Sequence, residues 1–125
     1  MKSKKLAELC REFAENKKAE NVSILDVRKA SSVTDYFVVV SGSIEPHLRA
    51  IVDEITEQLK TGHDLKPSRV DGPKGGTWVV LDYFDVIVHV MRSDVRELYD
   101  LESLWNDATK AAGPKTRKKK KKESD

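Results

Sequence analysis

The chain has 125 residues, enough for one domain with a hydrophobic core and too few for two. Its net charge of +2 conceals a split, because residues 114–125 contain seven basic and two acidic residues, which leaves 16 basic and 19 acidic residues in the body. A body with a net charge of −3 argues against a general nucleic-acid-binding surface, which would normally be basic.

The cysteine count and the hydropathy of the chain indicate the cellular compartment in which the protein is expected. The single cysteine, Cys10, excludes an internal disulfide framework and fits a reducing environment. No apolar run approaches the roughly 20 residues that a membrane-spanning helix needs. The first residues lack the apolar region of a signal peptide, and early acids, among them Glu8 and Glu12, argue against a transit peptide. We therefore expect a soluble, cytoplasmic protein.

The first half of the chain begins with a predicted amphipathic helix. Apolar residues recur there at helical spacing and form one stripe, which consists of Leu6, Leu9, Cys10, Phe13 and Ala14. On this stripe Cys10 is predicted to be a buried side chain and not a nucleophile. Strands are predicted over residues 22–28 and 35–41. The second is short and rich in β-branched residues, as in a strand that is buried on both faces.

A second helix is predicted to follow, with Ser43 as its N-cap and Glu45 and Pro46 in its first turn. Gly62 is a plausible left-handed stop at its end. The buried stripe of this helix is predicted to consist of Leu48, Ile51, Val52, Ile55 and Leu59.

The last third contains three predicted strands and a helix. Residues 66–71 can form only a weak edge strand, because Pro67 has no amide proton to donate. Two further strands are predicted over 77–82 and 85–91. Ser93 or Asp94 is then predicted to cap a final helix whose apolar residues are Val95, Leu98, Leu101 and Trp105.

This order of elements predicts an α/β (α+β) fold with two layers, in which a mixed sheet carries helices mainly on one face. The domain should span residues 1–112, and the lysine-rich residues 113–125 should form a disordered tail. Such an arrangement leaves the second sheet face without helical cover.

Strand alternation predicts which side chains lie on each face. Val86, Val88 and Val90 share one face and look like core. The opposite, open face would then carry a mixed patch typical of an interface, made of Trp78, Asp82, His89 and Met91. The pattern allows equally that Trp78 and Met91 simply complete the core.

The first catalytic possibility to test is a nucleotidyltransferase site. Gly42 and Ser43 lie between a strand and a helix, as in the phosphate-holding turn of those enzymes. Such enzymes also need two carboxylates one residue apart on a strand, to share Mg²⁺ ions. The candidates Asp82 and Asp85 are three apart, and Ile87 occupies the position at the required spacing from Asp85. The turn is therefore more typical of a helix cap.

The spacing of the glycines and histidines does not support a phosphate-binding loop or a metal site either. The glycine-rich residues 71–76 lead into a strand, whereas a P-loop leads into a helix. His47, His63 and His89 have no partners at metal-ligand spacing. We predict no catalytic residue, cofactor or metal, and hence a protein that acts by binding and is not an enzyme.

Two blocks of sequence resemble a known family. The first is SSVTDYFVVVSGS at 31–43, with HLRAI at 47–51. The second combines WVVLDY at 78–83, DVIVHVM at 85–91 and R-x-LYDLESLW at 96–105. In this order and spacing they resemble the ribosomal silencing factors, also called Iojap-related proteins, over residues 1 to about 108.

The resemblance implies a translation repressor. Family members bind the large ribosomal subunit through ribosomal protein uL14, block joining of the small subunit, and lower translation when nutrients are scarce. The resemblance also implies a nucleotidyltransferase-like fold without that activity, and a homodimer. The family's uL14-contacting surface corresponds here to Trp78, Asp82 and Tyr83, and Tyr99 falls in a further characteristic stretch.

One position departs from the family pattern, since Phe84 stands where a small residue, often glycine, precedes the DVIVHV run. A ring there could extend the surface that contacts uL14 or alter the turn. From the open face and the resemblance together, the predicted partner-binding residues are Trp78, Asp82, Tyr83, Phe84, His89, Met91 and Tyr99.

Two alternatives stay open from sequence. One is an active, metal-dependent nucleotidyltransferase with carboxylates from Asp35, Asp82 and Asp85. The other is an RNA-binding module that acts through the basic tail, whose lysines could contact ribosomal RNA phosphates without specificity or could merely keep the chain soluble.

Overall fold

The computed structural model describes residues 1–72 and 75–100. The predicted order of one helix, two strands, one helix, three strands and one helix is confirmed. The helices are α1 (Ser3–Asn16), α2 (Glu45–His63) and α3 (Ser93–Tyr99), and the strands are β1 (Glu20–Asp26), β2 (Tyr36–Gly42), β3 (Arg69–Asp71), β4 (Trp78–Asp82) and β5 (Val86–Arg92). A single 3₁₀ turn, Gly75–Thr77, leads into β4.

The five strands form one mixed sheet in the order β1-β2-β5-β4-β3. β2 and β5 run parallel, and the other neighbouring pairs are antiparallel. All seven residues of β2 are buried, as its run of β-branched residues predicted. The three exposed residues of β3 form a short edge strand after Pro67, again as predicted. The predicted mixed α+β class is confirmed.

The main core lies between the sheet and the two long helices. All five residues of the predicted α1 stripe are buried, and α2 buries Leu48, Ile51, Ile55 and Leu59. They pack against alternate β2 and β5 side chains, among them Val38, Val40, Val88 and Val90. Burial raises the pKa of the Cys10 thiol to about 12, so this cysteine is a neutral core side chain, as predicted.

Both predicted ends of α2 were wrong. The residue at the N-cap position is Ile44, and no side chain caps the helix. The Ser43 amide instead donates to Nδ1 of His47, whose Nε2 lies 2.8 Å from the Lys17 carbonyl oxygen. Gly62 lies inside the helix, and Asp64 adopts the left-handed conformation that ends it. Aspartate tolerates this conformation better than most residues do, so a glycine is not required.

The second sheet face is not left uncovered, because the short helix α3 folds back over one end of it. A second cluster of buried side chains forms there, consisting of Val27, Phe37, Val39 and Met91, with Leu25, Trp78, Ile87 and Val95 packed against it. Helices therefore lie mainly, but not only, on one face. α3 begins directly after β5, with Arg92 at the N-cap position, one residue before the predicted cap.

Some sequence predictions lie outside the described residues. They concern Leu101 and Trp105 of the final helix and the tail at 113–125. None of the helices within residues 1–72 and 75–100 is both long and apolar enough to cross a membrane.

Candidate functional site

The β4–β5 pairing sets the composition of the second sheet face. Trp78 lies opposite Met91, and Asp82 lies opposite Ile87, with His89 between them in register with Val80. Since side chains alternate along a strand, these residues share the face away from α1 and α2. The predicted division between a valine face and a face with Trp78, Asp82, His89 and Met91 is confirmed.

Some of the predicted partner-binding residues are buried in the structure, so a partner cannot reach their side chains. Met91 is fully buried and His89 is 8% exposed, because both belong to the packing beneath α3. Tyr83 follows Asp82 in the chain, points to the opposite face and is 4% exposed in the main core. Burial raises the pKa of Tyr83 well above its usual range. The side chains of Tyr83, His89 and Met91 are closed to a partner in this structure.

Four members of the set remain accessible. Trp78 and Asp82 are partly exposed, Tyr99 is 39% exposed, and Phe84 is 69% exposed. Their contact with a partner stays a prediction. We call these four residues the contact patch. It combines three aromatic rings with one carboxylate, the side-chain chemistry of a protein interface more than of a small-molecule site.

Trp78 is the best supported member of the contact patch. Its indole Nε1–H donates a hydrogen bond to Nδ1 of His89 over 3.1 Å. The Trp78 and Tyr99 rings are in contact, with centroids 5.2 Å apart, and the centroids of the His89 and Phe37 rings are 4.8 Å apart. The aromatic row Phe37–His89–Trp78–Tyr99 thus runs from β2 through β5 and β4 to α3, and it leads from a buried end to an exposed one.

A buried arginine, which the sequence reasoning missed, fixes α3 to the sheet. Arg96 is 7% exposed, and its guanidinium donates to Oγ of Ser41 at 2.9 Å and to Oγ of Ser23 at 3.1 Å. It thereby joins α3 to β2 and β1 and helps to place Tyr99, which lies one helical turn further along. No local pattern marks this role, because the two serines are 18 residues apart in the chain and meet only through strand pairing.

The contact patch continues into the β4–β5 turn. Oδ1 of Asp82 accepts a hydrogen bond from the Phe84 amide at 2.8 Å, and the Asp85 amide donates to the Tyr83 carbonyl. Phe84 has a φ of 69°, in the left-handed region that glycine adopts without cost. This backbone requirement explains why a small residue suits the position, and it turns the Phe84 ring outward to solvent.

The carboxylates of the nucleotidyltransferase alternative lie on separate elements, in keeping with the predicted strands over 77–82 and 85–91. Asp82 ends β4, whereas Asp85 lies in the turn, so the two do not belong to one continuous strand. The Asp85 carbonyl accepts hydrogen bonds from the amides of Asp35 and Tyr36, which joins the turn to β2. Within residues 1–72 and 75–100, no three His, Cys, Asp or Glu side chains are grouped so as to hold a metal ion.

Comparison with known proteins establishes the family. The family model described as "Ribosomal silencing factor during starvation" matches residues 1–125. The chain belongs to the ribosomal silencing factor family. The resemblance inferred from the two sequence blocks is thereby confirmed.

Relatives of this silencing factor family cover most of the chain. The protein named ribosomal silencing factor RsfS of Bacillus subtilis is 33% identical over 108 residues, which cover 86% of this chain and 91% of the relative. Its Haemophilus influenzae namesake is 35% identical over 101 residues, covering 80% and 97%. A crystal structure of a Chromobacterium violaceum protein superposes with a TM-score of 0.79 at 30% identity, covering 85% of this chain and 88% of the other.

Proposed function

We propose that this protein is a ribosome-associated repressor of translation that acts by binding. It binds the large ribosomal subunit through ribosomal protein uL14 and prevents the small subunit from joining, which lowers translation when nutrients are limited. Family membership and the names of the relatives support the ribosomal role. The observation that carries the mode of action is Trp78, a partly exposed indole that contacts His89 and Tyr99 on the second sheet face.

The chemistry of the contact patch suits a basic protein partner. Trp78, Phe84 and Tyr99 offer flat apolar area, and large aromatic side chains dominate the energetics of interfaces. Asp82 offers a carboxylate for a lysine or arginine. A ribosomal protein that binds RNA is expected to be basic, and residues 1–113 carry a net charge of −3, which favours encounter with such a partner.

Repression then needs no chemical step. A domain bound at the intersubunit face of the large subunit occupies the space that the small subunit must enter. The inhibitory strength therefore follows the occupancy of the site, and each contact that tightens binding also strengthens repression. We propose, in keeping with the family, that the protein associates as a homodimer; sedimentation equilibrium would show a monomer mass if this is wrong.

Replacing Trp78 with alanine tests the proposed contact. If Trp78 is an interface anchor, its removal should cost about 2 kcal/mol or more in binding, an approximately 30-fold rise in the dissociation constant for purified large subunits. Co-sedimentation with large subunits over a range of protein concentrations measures this. Gln58→Ala, an exposed position on α2 behind the other sheet face, is the matched control and should bind like the parent.

Undiminished binding by a folded Trp78→Ala protein would remove this residue from the interface. Equal weakening by Gln58→Ala would show that the loss does not report on the contact patch. Circular dichroism and a thermal melt of each variant establish that the comparison is made between folded proteins.

A further inference from the structure

We propose that His89 is a positioning residue for the ribosome contact. It does not touch the partner itself, but fixes the orientation of the Trp78 indole, which does. This inference rests on the proposed function, in which Trp78 is an anchor of the interface. It adds a buried residue that sets how well that anchor binds.

The hydrogen bond between the two side chains defines the state of His89. Nδ1 accepts the hydrogen bond of the Trp78 indole N–H, with 3.1 Å between the two nitrogen atoms. The neutral imidazole must therefore carry its own proton on Nε2. That Nε2–H is buried and has no hydrogen-bond partner within residues 1–72 and 75–100. An unpaired buried donor costs free energy, so an apolar residue would suit the packing at this position better than histidine does. Histidine nevertheless provides a hydrogen-bond acceptor at Nδ1, which an apolar residue would lack.

The surroundings of Trp78 show why an acceptor matters there. The indole is only partly buried, and it contacts the Tyr99 ring and the second cluster of buried side chains. Packing alone leaves such a ring several rotamers, whereas one directed bond to a buried, immobile acceptor selects a single orientation. A side chain ordered before the partner arrives loses less entropy on binding, so the bond raises affinity without contributing any contact area.

The bond also depends on the protonation state of His89. An imidazolium ion has no free lone pair on Nδ1 and cannot accept from the indole. Burial lowers the pKa of His89 to about 4, so the accepting form persists at neutral pH. Other described titratable side chains lie on this side of the sheet, from β1, β3, β4 and the region of α3: Glu20, Arg69, Asp71, Asp82, Arg96, Glu97, Tyr99 and Asp100. The lowered pKa of His89 has burial as its cause, not a neighbouring charge.

Two substitutions separate positioning from packing. His89→Asn places an amide oxygen near the position of Nδ1 and keeps an acceptor, whereas His89→Leu has similar bulk and no acceptor. We expect His89→Leu to weaken binding to large subunits by about threefold to tenfold, the worth of one hydrogen bond, and His89→Asn to stay within about twofold of the parent. Trp78→Phe removes the donor from the other side, and in that background His89→Leu should cause no further loss.

A spectroscopic measurement reads the bond without the ribosome. In a Trp105→Phe background, Trp78 is the only tryptophan, so its emission reports on its own surroundings. We expect the emission to change with a midpoint near pH 4 when His89 is present, and to lack that transition in His89→Asn and His89→Leu. Acrylamide should quench Trp78 more readily in His89→Leu than in the parent, because the indole is no longer held.

The outcomes distinguish this proposal from the function on which it rests. Normal binding and normal quenching in folded His89→Leu, beside a large loss in Trp78→Ala, overturn the positioning role and leave the contact intact. Equal losses in His89→Asn and His89→Leu also overturn it, since they would reflect packing. If Trp78→Ala binds like the parent, the proposed contact fails instead. Should His89→Leu not fold, Trp78→Phe decides: affinity equal to the parent contradicts the role of the bond.

Discussion

At the scale of single residues, Phe84 is expected to have opposite effects on stability and on binding. Its backbone conformation costs stability, whereas its exposed ring contributes to binding. A side chain at φ 69° crowds its own backbone, whereas glycine does not. We expect Phe84→Gly to raise the free energy of unfolding by about 0.5–1 kcal/mol, the left-handed cost less the entropy that glycine adds to the unfolded chain. Urea unfolding measures the change.

Phe84→Ala is the matched control for this substitution. Both variants lose the exposed ring, but alanine retains a Cβ and hence the backbone strain. Both should therefore bind large subunits more weakly than the parent, and only the glycine variant should be more stable. A glycine variant less stable than the alanine variant would contradict the assignment of strain to this turn.

The buried His89 predicts how stability depends on pH. The unfolded histidine takes up a proton below its ordinary pKa of 6.5, whereas the folded one stays neutral until about pH 4. The unfolded state therefore binds more protons in this window, so stability is complete above pH 6.5 and falls as the pH drops towards 4. The loss amounts to about 3 kcal/mol over the window.

Unfolding by urea at pH 7, 5.5 and 4.5 measures this dependence in the parent and in His89→Asn. The difference between the two curves isolates His89 from the carboxylates, which the proteins share. Parallel curves for the parent and His89→Asn would show that His89 is not the buried neutral group described above.

At the scale of elements, Arg96 ties α3 to two strands of the sheet, and this gives a second stability prediction. Arg96→Leu removes hydrogen bonds to Ser41 and Ser23, and bonds to a charged donor are worth about 1.5–3 kcal/mol. We expect faster amide hydrogen exchange in α3 and weaker ribosome binding, because Tyr99 loses its placement beside Trp78.

The control for Arg96 is Arg92→Leu. Arg92 pairs with Asp94 on the surface, where ion pairs contribute little, so exchange in α3 should change only slightly. Fast exchange in both variants would point to general loosening of a short helix, and unchanged exchange in Arg96→Leu would exclude Arg96 as its anchor.

The elements also show where sequence patterns suffice. The run of β-branched residues in β2 and the apolar stripe of α1 were predicted correctly from local patterns. The stripe of α2 was predicted correctly except for Val52, which is only partly buried. The covering of the second sheet face by α3 was not, because it depends on Arg96 reaching serines of two strands. The start of α2 was missed for a similar reason: His47 bridges its own helix and the Lys17 carbonyl, 30 residues away.

Sequence patterns likewise account for only some of the predicted partner-binding residues. Strand alternation placed Trp78 and Asp82 on the correct face, but alternation contains no information on burial beneath a later helix. Met91 and His89 were therefore counted as contacts when they lie under the patch. Tyr83 was assigned from the resemblance alone, and the change of face after Asp82 brings it into the main core.

At the scale of the whole molecule, the charge division between body and tail predicts two separable contributions to ribosome binding. We propose that the seven basic residues in 114–125 contact ribosomal RNA phosphates without sequence preference. Deleting residues 114–125 should then reduce the salt dependence of binding and leave a salt-tolerant component that depends on Trp78. Titration of large subunits at 50 and 200 mM salt measures both.

Complete loss of binding on deletion would instead make the tail the main ribosome contact and the body secondary. A tail-deleted protein with unchanged affinity and unchanged salt dependence would show that the lysines serve only solubility. Replacing Lys118 to Lys122 with glutamine, at constant length, is the matched control for the loss of charge alone.

The most direct measurement of the proposed repression is the joining of purified ribosomal subunits in the presence of this protein, followed by sedimentation. We predict that the protein sediments with large subunits and keeps small subunits free, and that Trp78→Ala restores joining at concentrations where the parent blocks it. Joined ribosomes that form while the parent protein remains bound to the large subunit would contradict the account.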